Sequence, residues 1–243
     1  MTQWYFEGEF TATGEVFDCG GTTLSAIIKY VRKVPLEECG SEESHSNGNG
    51  SLMRILPVAV YLHSIYGENF DDRAMSVIHE VSALTHAHPR SLVGCGIYSL
   101  IAVQLLEGKT MLESIQLGLA QAKEFYADSA FEVELQNYSR LWRADFANLP
   151  EEEIKSTGYV VDTLEAALWC LLNTEDYKSL VLKAVNLGDD TDTVAAVAGG
   201  LAGIYYGLEE IPEEWLSKLQ KQEYLEELAT DFFYSCGISE VKQ

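Results

Sequence analysis

The stretch NLGDDTDTVAAVAGGLAGIYYG, residues 186–207, sets three acidic side chains and two threonines within five positions (189–193). It then runs into small apolar residues. The run from Val194 to Tyr206 has the composition of a buried helix, with Ala195, Ala196, Ala198, Gly199, Gly200, Ala202 and Gly203 small enough for neighbouring helices to approach closely. Glycine inside a helix costs up to about 1 kcal/mol relative to alanine, so three of them imply compensation by packing or by a ligand. Two readings of the acidic mouth stay open. Asp and Thr at a helix start cap free N–H groups and complement the dipole, for about 1 kcal/mol. Capping needs one such residue, however, and Asp189, Asp190 and Asp192 repel one another unless a cation lies between them; carboxylate and hydroxyl oxygens are the hard ligands that Mg²⁺ or Ca²⁺ prefers.

Helical spacing recurs outward from this stretch. In TTLSAIIKYVRK (22–33), Leu24, Ile27, Ile28 and Val31 fall at i, i+3, i+4 and i+7 behind a threonine cap. Further helices are predicted over 52–65, 73–85, 89–107, 111–126, 161–172, 177–184, 193–206 and 212–230, and alternating strand patterns of useful length are missing. The expectation is an all-α chain with short connections. With 243 residues and 47% hydrophobic content, one large unit with its own core is expected. The stretches 37–51 (EECGSEESHSNGNGS) and that around Pro150 and Gly158 are irregular, and a small-residue loop within a helical unit is a natural ligand site.

Charge narrows the function. Sixteen basic against 38 acidic residues give a formal net charge of −22, which repels a phosphate backbone and argues against nucleic acid as a partner. A small anionic ligand would then need local compensation from a metal, helix-start N–H groups or a single arginine. Five widely spaced cysteines without a C-x-x-C pair suggest a reducing compartment, and the longest apolar segment, Leu92 to Leu106, is short and interrupted. A cytoplasmic protein without a membrane segment is the expectation. SNGNGSLMR (46–54) could present backbone N–H groups to a phosphate ahead of a helical run carrying Arg54, although a plain turn is the simpler reading. In LTHAHPRS (84–91), His86 and His88 do not share a helix face and Pro89 opens a helix, so a cap plus one half-buried imidazole outweighs a zinc pair. HExxH is missing, and a serine or cysteine hydrolase has no nucleophile elbow to rest on.

The ordered set TGEVFDCGGTT, SNGNGSLMR, LTHAHP, STGYVVDTLEAALWCLL and GDDTDT resembles the ADP-ribosylglycohydrolase family from about residue 4 to residue 220. The resemblance implies an all-α orthogonal helical bundle and a binuclear Mg²⁺ or Mn²⁺ centre. It also implies cleavage of the glycosidic bond between ADP-ribose and a protein side chain or a small leaving group. Position by position, it makes Asp190, Asp192 and Thr193 metal ligands and Gly48, Asn49 and Gly50 the loop that meets the diphosphate and ribose. His86 becomes the histidine near the phosphates, and Gly158 with Tyr159 the edge that packs on the distal part of the ligand. Asp18 becomes a carboxylate close to the scissile bond. Gly21 departs from the pattern, standing where relatives often carry a polar residue. The family's other metal ligands lie in an N-terminal segment with G-D-A-x-G and T-D-D-T-like motifs, which residues 1–243 do not contain. The expectation is therefore a single, N-terminally truncated domain with half of a metal centre, either a weak hydrolase or an impaired ADP-ribose-binding or structural module. A core face exposed by truncation would favour pairing with a second copy.

Overall fold

The computed structural model describes residues 1–237. The centre of the fold is α5 (Pro89–Leu106), whose residues 91 to 105 are all buried. Pro89 sits in its first turn and His88 caps it, the Nδ1 atom accepting from the Arg90 N–H at 3.1 Å. Its length and apolarity would suffice to cross a membrane, but 83% of it is buried inside the fold. Around it pack α3 (Leu56–Tyr66), α4 (Asp72–Ala83), α6 (Met111–Tyr126), α8 (Val160–Leu172) and α10 (Thr191–Tyr206). α9 (Tyr177–Asn186) lies against α8 and α10. Near the termini lie α1 (Thr2–Glu7), α2 (Gly21–Val31), α11 (Glu213–Leu216) and α12 (Gln222–Ser235), with α7 (Glu132–Leu135) in the connection after α6. Among the described residues β-structure is limited to two isolated bridges, Ser41 with His86 and Gly48 with Tyr159.

The core is one continuous cluster running from Leu52 to Ala202. Glycines admit bulky side chains to α5: a Cβ on Gly96 would overlap the Tyr126 hydroxyl, and one on Gly94 would lie 2.5 Å from that of Tyr138. Of the three glycines in α10, Gly199 and Gly200 meet close neighbours as their pattern predicts, whereas a Cβ on Gly203 would meet open space. A Cβ on Gly200 would come within 2.8 Å of Leu56 and 2.9 Å of the Tyr98 hydroxyl, which donates to the Val197 carbonyl at 2.9 Å and so joins α5 to α10.

Two helix predictions need correction. The run 52–65 is a 3₁₀ turn, Leu52–Arg54, followed by α3, because Pro57 starts a new helix and cannot donate into the turn before it. The run 212–230 breaks after α11, and Lys221 takes a left-handed φ of 55° before α12 starts. None of the residues of α12 is buried, so no packed surface holds the two pieces to one axis.

Candidate functional site

The two irregular stretches and the acidic helix mouth converge on one cavity of about 680 Å³. Its wall includes Asp18, Gly48, Asn49, Gly50, Arg54, His86, Gly158, Asp190, Asp192 and Thr193, with Trp4, Phe10, Phe17 and Met53 at an aromatic and apolar side. Nine of the ten residues expected at a site therefore share one wall. Tyr159 is the exception. It is the N-cap residue of α8, its N–H donating to Thr157 Oγ1 at 3.2 Å, and its ring lies 5.9 Å from the Arg90 guanidinium rather than against the cavity. Asp189 also stays out, held at a left-handed φ of 53° in the turn before α10.

Asn49 ties the loop to the acids. Its Nδ2 group donates to Asp190 Oδ2 at 2.6 Å and to Thr163 Oγ1 on α8 at 2.9 Å. The loop is fixed by its backbone as well: the Asn49 N–H donates to the Gly158 carbonyl and the Val160 N–H to the Asn47 carbonyl, both at 2.9 Å. Asp190 is the N-cap residue of α10, yet its side chain makes no capping bond. The capping alternative thus fails for Asp190, whose carboxylate reaches toward Asn49 and the cavity instead. Its own N–H donates to the Ser156 carbonyl at 2.9 Å. Among the described residues none of Asp18, Asp190 and Asp192 pairs with a basic side chain.

The opposite part of the wall offers donors. Arg54 donates through Nη1 to the Gly50 carbonyl and through Nη2 to Thr85 Oγ1 at 2.7 Å. Thr85 Oγ1 lies 2.7 Å from His86 Nδ1. Arginine only donates, so the threonine hydroxyl is free to give its proton to Nδ1, which leaves the imidazole hydrogen on Nε2, facing Gly48 and Gly50. Burial, with Arg54 nearby, pushes the His86 pKa down to about 4, so the ring is neutral at pH 7. A Cβ on Gly50 would lie 2.9 Å from His86 Cε1, and one on Gly158 would lie 3.2 Å from Asp190 Oδ2. Glycine at both places keeps the wall open. His88 caps α5, as the sequence suggested, while His86 is more deeply buried than expected.

Arg54 and Thr85 were not singled out as site residues by sequence. An arginine in an apolar run is a weak signal, but among the described residues Arg54 is the one arginine or lysine lining the cavity, the local compensation that a net charge of −22 demands of an anion site.

Comparison with known proteins shows the family. The sequence model of the ADP-ribosylglycohydrolase family matches residues 1–239. The chain belongs to the ADP-ribosylglycohydrolase family. Relatives of this family include a protein named ADP-ribosylarginine hydrolase Tri1 from Serratia proteamaculans (strain 568), 34% identical over 235 residues, covering 96% of this chain and 59% of the relative. Another, named ADP-ribosyl-[dinitrogen reductase] glycohydrolase, from Rhodospirillum rubrum, is 31% identical over 202 residues, 83% of this chain and 60% of the relative. A solved ADP-ribosylglycohydrolase-related protein complex superposes with a TM-score of 0.70 at 31% identity, covering 88% of this chain and 69% of that one. The chain thus spans about three fifths of the length of these curated relatives, and the all-α fold is the family's.

The donor chemistry on the acidic side fits a divalent cation: Asp190, Asp192 and Thr193 offer only hard oxygens to the same cavity. Among the described residues no three His, Cys, Asp or Glu side chains cluster closely enough to hold a metal by themselves.

Proposed function

We propose that this chain acts as a metal-dependent hydrolase that cleaves the glycosidic bond of ADP-ribose attached to a protein side chain or a small molecule. The observation that carries the reading is the Asn49 bridge, which sets the phosphate-type loop and the Asp190 carboxylate in one cavity. The Gly48 and Gly50 N–H groups, the Nε2–H of His86 and the Arg54 charge behind the loop suit a diphosphate. Asp190, Asp192 and Thr193 would hold Mg²⁺ or Mn²⁺ on the other side, a metal that supplies Lewis-acid polarisation and a more acidic bound water when present. Asp18, exposed on the same wall with its Oδ1 accepting from the Cys19 N–H at 2.8 Å, would take a proton or steady positive charge beside the scissile bond. Arginine is the side chain we favour as the carrier of ADP-ribose, because two relatives at 34% and 32% identity are named ADP-ribosylarginine hydrolases. All five cysteines are free thiols, in keeping with a cytoplasmic site of action.

A second reading has its own support. The partial metal shell favours binding without turnover in this chain, an impaired ADP-ribose-binding module. An assay for ADP-ribose release from an ADP-ribosylarginine peptide, with and without Mg²⁺, separates the two. Metal-dependent release that is abolished in Asp18→Asn supports the hydrolase. Binding of ADP-ribose without release supports the module, and neither binding nor release by the folded chain sinks both.

A further inference from the structure

Behind the cavity, α8 buries an acid that no step above employs. Glu165 has only 5% of its side chain exposed, its Oε1 atom has no hydrogen-bond partner, and Oε2 lies 3.4 Å from Arg140 Nη1. A buried carboxylate with one oxygen unpaired and a long ion pair on the other is a poor stabilising device, since a neutral residue of the same shape would avoid the desolvation. Such a group needs another reason to be there.

Its connections supply one. Arg140, in the 3₁₀ segment Gln136–Trp142, donates through Nη2 to the Glu153 carbonyl at 3.0 Å. From Glu153 the chain runs through buried Ile154 to Ser156, whose carbonyl receives the Asp190 N–H and whose hydroxyl donates to the Gly188 carbonyl at 2.9 Å. Two residues on, Gly158 receives the Asn49 N–H. The far end is held by Asp162, which accepts from Thr157 Oγ1 at 2.7 Å, and by Thr163, which donates to the Thr157 carbonyl at 2.9 Å.

We propose that Glu165 is a positioning residue for the ligand cavity: its ionised carboxylate orients Arg140, which fixes the 153–158 segment against Asp190 and Asn49. The charged groups that act on Glu165 are Arg140 from 136–142, Lys155 from the segment itself and Asp162 one turn earlier on α8. Burial, opposed by Arg140 and Lys155 and reinforced by Asp162, raises the Glu165 pKa to about 7. The clamp therefore engages above neutrality and releases below it.

Only the choice of ligand rests on the function proposed above, so the test has one arm that needs no ligand. Amide hydrogen exchange of Asn49, Val160 and Asp190, the three N–H groups that cross the segment, is compared in the wild type, Glu165→Gln and Arg140→Met at pH 8 and pH 5.5. At pH 8 both variants are expected to exchange these amides about fivefold or more faster than wild type, the lower end of ordinary site-to-site coupling. The double variant should add nothing further. At pH 5.5 the difference between Glu165→Gln and wild type should vanish, while its melting temperature at pH 8 stays equal or rises. Equal exchange at both pH values overturns the proposal. So does a lowered melting temperature with faster exchange spread over α5 and α8, which marks a merely structural residue. In the second arm, ADP-ribose affinity at pH 8 is expected to drop about fivefold or more in Glu165→Gln; unchanged affinity overturns the proposal. A wild type that does not bind ADP-ribose defeats the functional reading alone, and the exchange arm still decides the positioning role.

Discussion

Replacing Asn49 by alanine removes two hydrogen bonds at once, and the structure fixes what each contributes. The 2.6 Å bond to Asp190 Oδ2 is charge-assisted, a class worth about 1.5–3 kcal/mol, and the 2.9 Å bond to Thr163 Oγ1 is neutral, worth about 0.5–1.5 kcal/mol. Asp190 is half-buried and water can replace the lost donor there. Thr163 is fully buried but keeps its bond to the Thr157 carbonyl. The lower part of the summed range applies, about 2–3 kcal/mol. For a chain of this size each kcal/mol moves the melting temperature about 2–4 °C, so Asn49→Ala should melt roughly 4–12 °C lower. Urea titration should show a reduced midpoint with an unchanged slope, because the surface exposed on unfolding is the same. The companion Asn49→Asp sets a second carboxylate against Asp190, and Mg²⁺ should raise its melting temperature more than that of the wild type. An Asn49→Ala protein within about 0.5 kcal/mol of wild type, the usual range for surface substitutions, would refute the claim that this bridge holds the cavity together.

Further expectations follow from particular contacts. Gly158→Ala puts a methyl 3.2 Å from Asp190 Oδ2 and should weaken ADP-ribose binding by calorimetry while changing the melting temperature little. Gly118→Ala drives a methyl to 2.7 Å from the Ile101 backbone between α6 and α5, and should cost about 1–3 kcal/mol in chemical denaturation with no selective effect on the cavity. Acid stability has a defined sign. Burial lowers the pKa values of His79 and His86 from 6.5 to about 4, so the unfolded chain binds more protons between those values and stability is lost as pH falls from 6.5 to 4. Glu165, raised from 4.5 to about 7, works the other way, its contribution being lost as pH rises from 4.5 to 7. Over pH 4.5–6.5 the two histidines outweigh the one acid by a single proton, about 1.4 kcal/mol per pH unit, and Glu165→Gln should steepen the slope to two protons. A flat wild-type profile over this window would contradict the burial of the two imidazoles.

The helices were legible because their apolar positions repeat: α5 and α10 declare themselves as core helices by small and aliphatic residues alone. The breaks were less so. Pro57 marks its own boundary, but nothing in the period of 212–230 shows that α12 has no surface to pack on, and the 3₁₀ segment 136–142 has no period to read. The acidic cluster stood out as more than a cap needs, and the structure places Asp190 and Asp192 on the cavity while turning Asp189 away. The partnership that organises the site was not readable, since Asn49 and Asp190 lie 141 positions apart and only the fold brings them together. Arg54 and Glu165 left fainter traces, a cation in an apolar run and the acid at a core position of VVDTLEAALWCLL. Tyr159 drew attention from its motif, yet its place as the residue before α8 sends the ring toward Arg90.

The most direct test of the account is a calorimetric titration of the folded chain with ADP-ribose, with and without Mg²⁺, repeated on Asp190→Asn. The account predicts micromolar binding that Mg²⁺ strengthens in the wild type and no longer strengthens in the variant. Absence of binding in both conditions, or a Mg²⁺ effect that survives in Asp190→Asn, would contradict it.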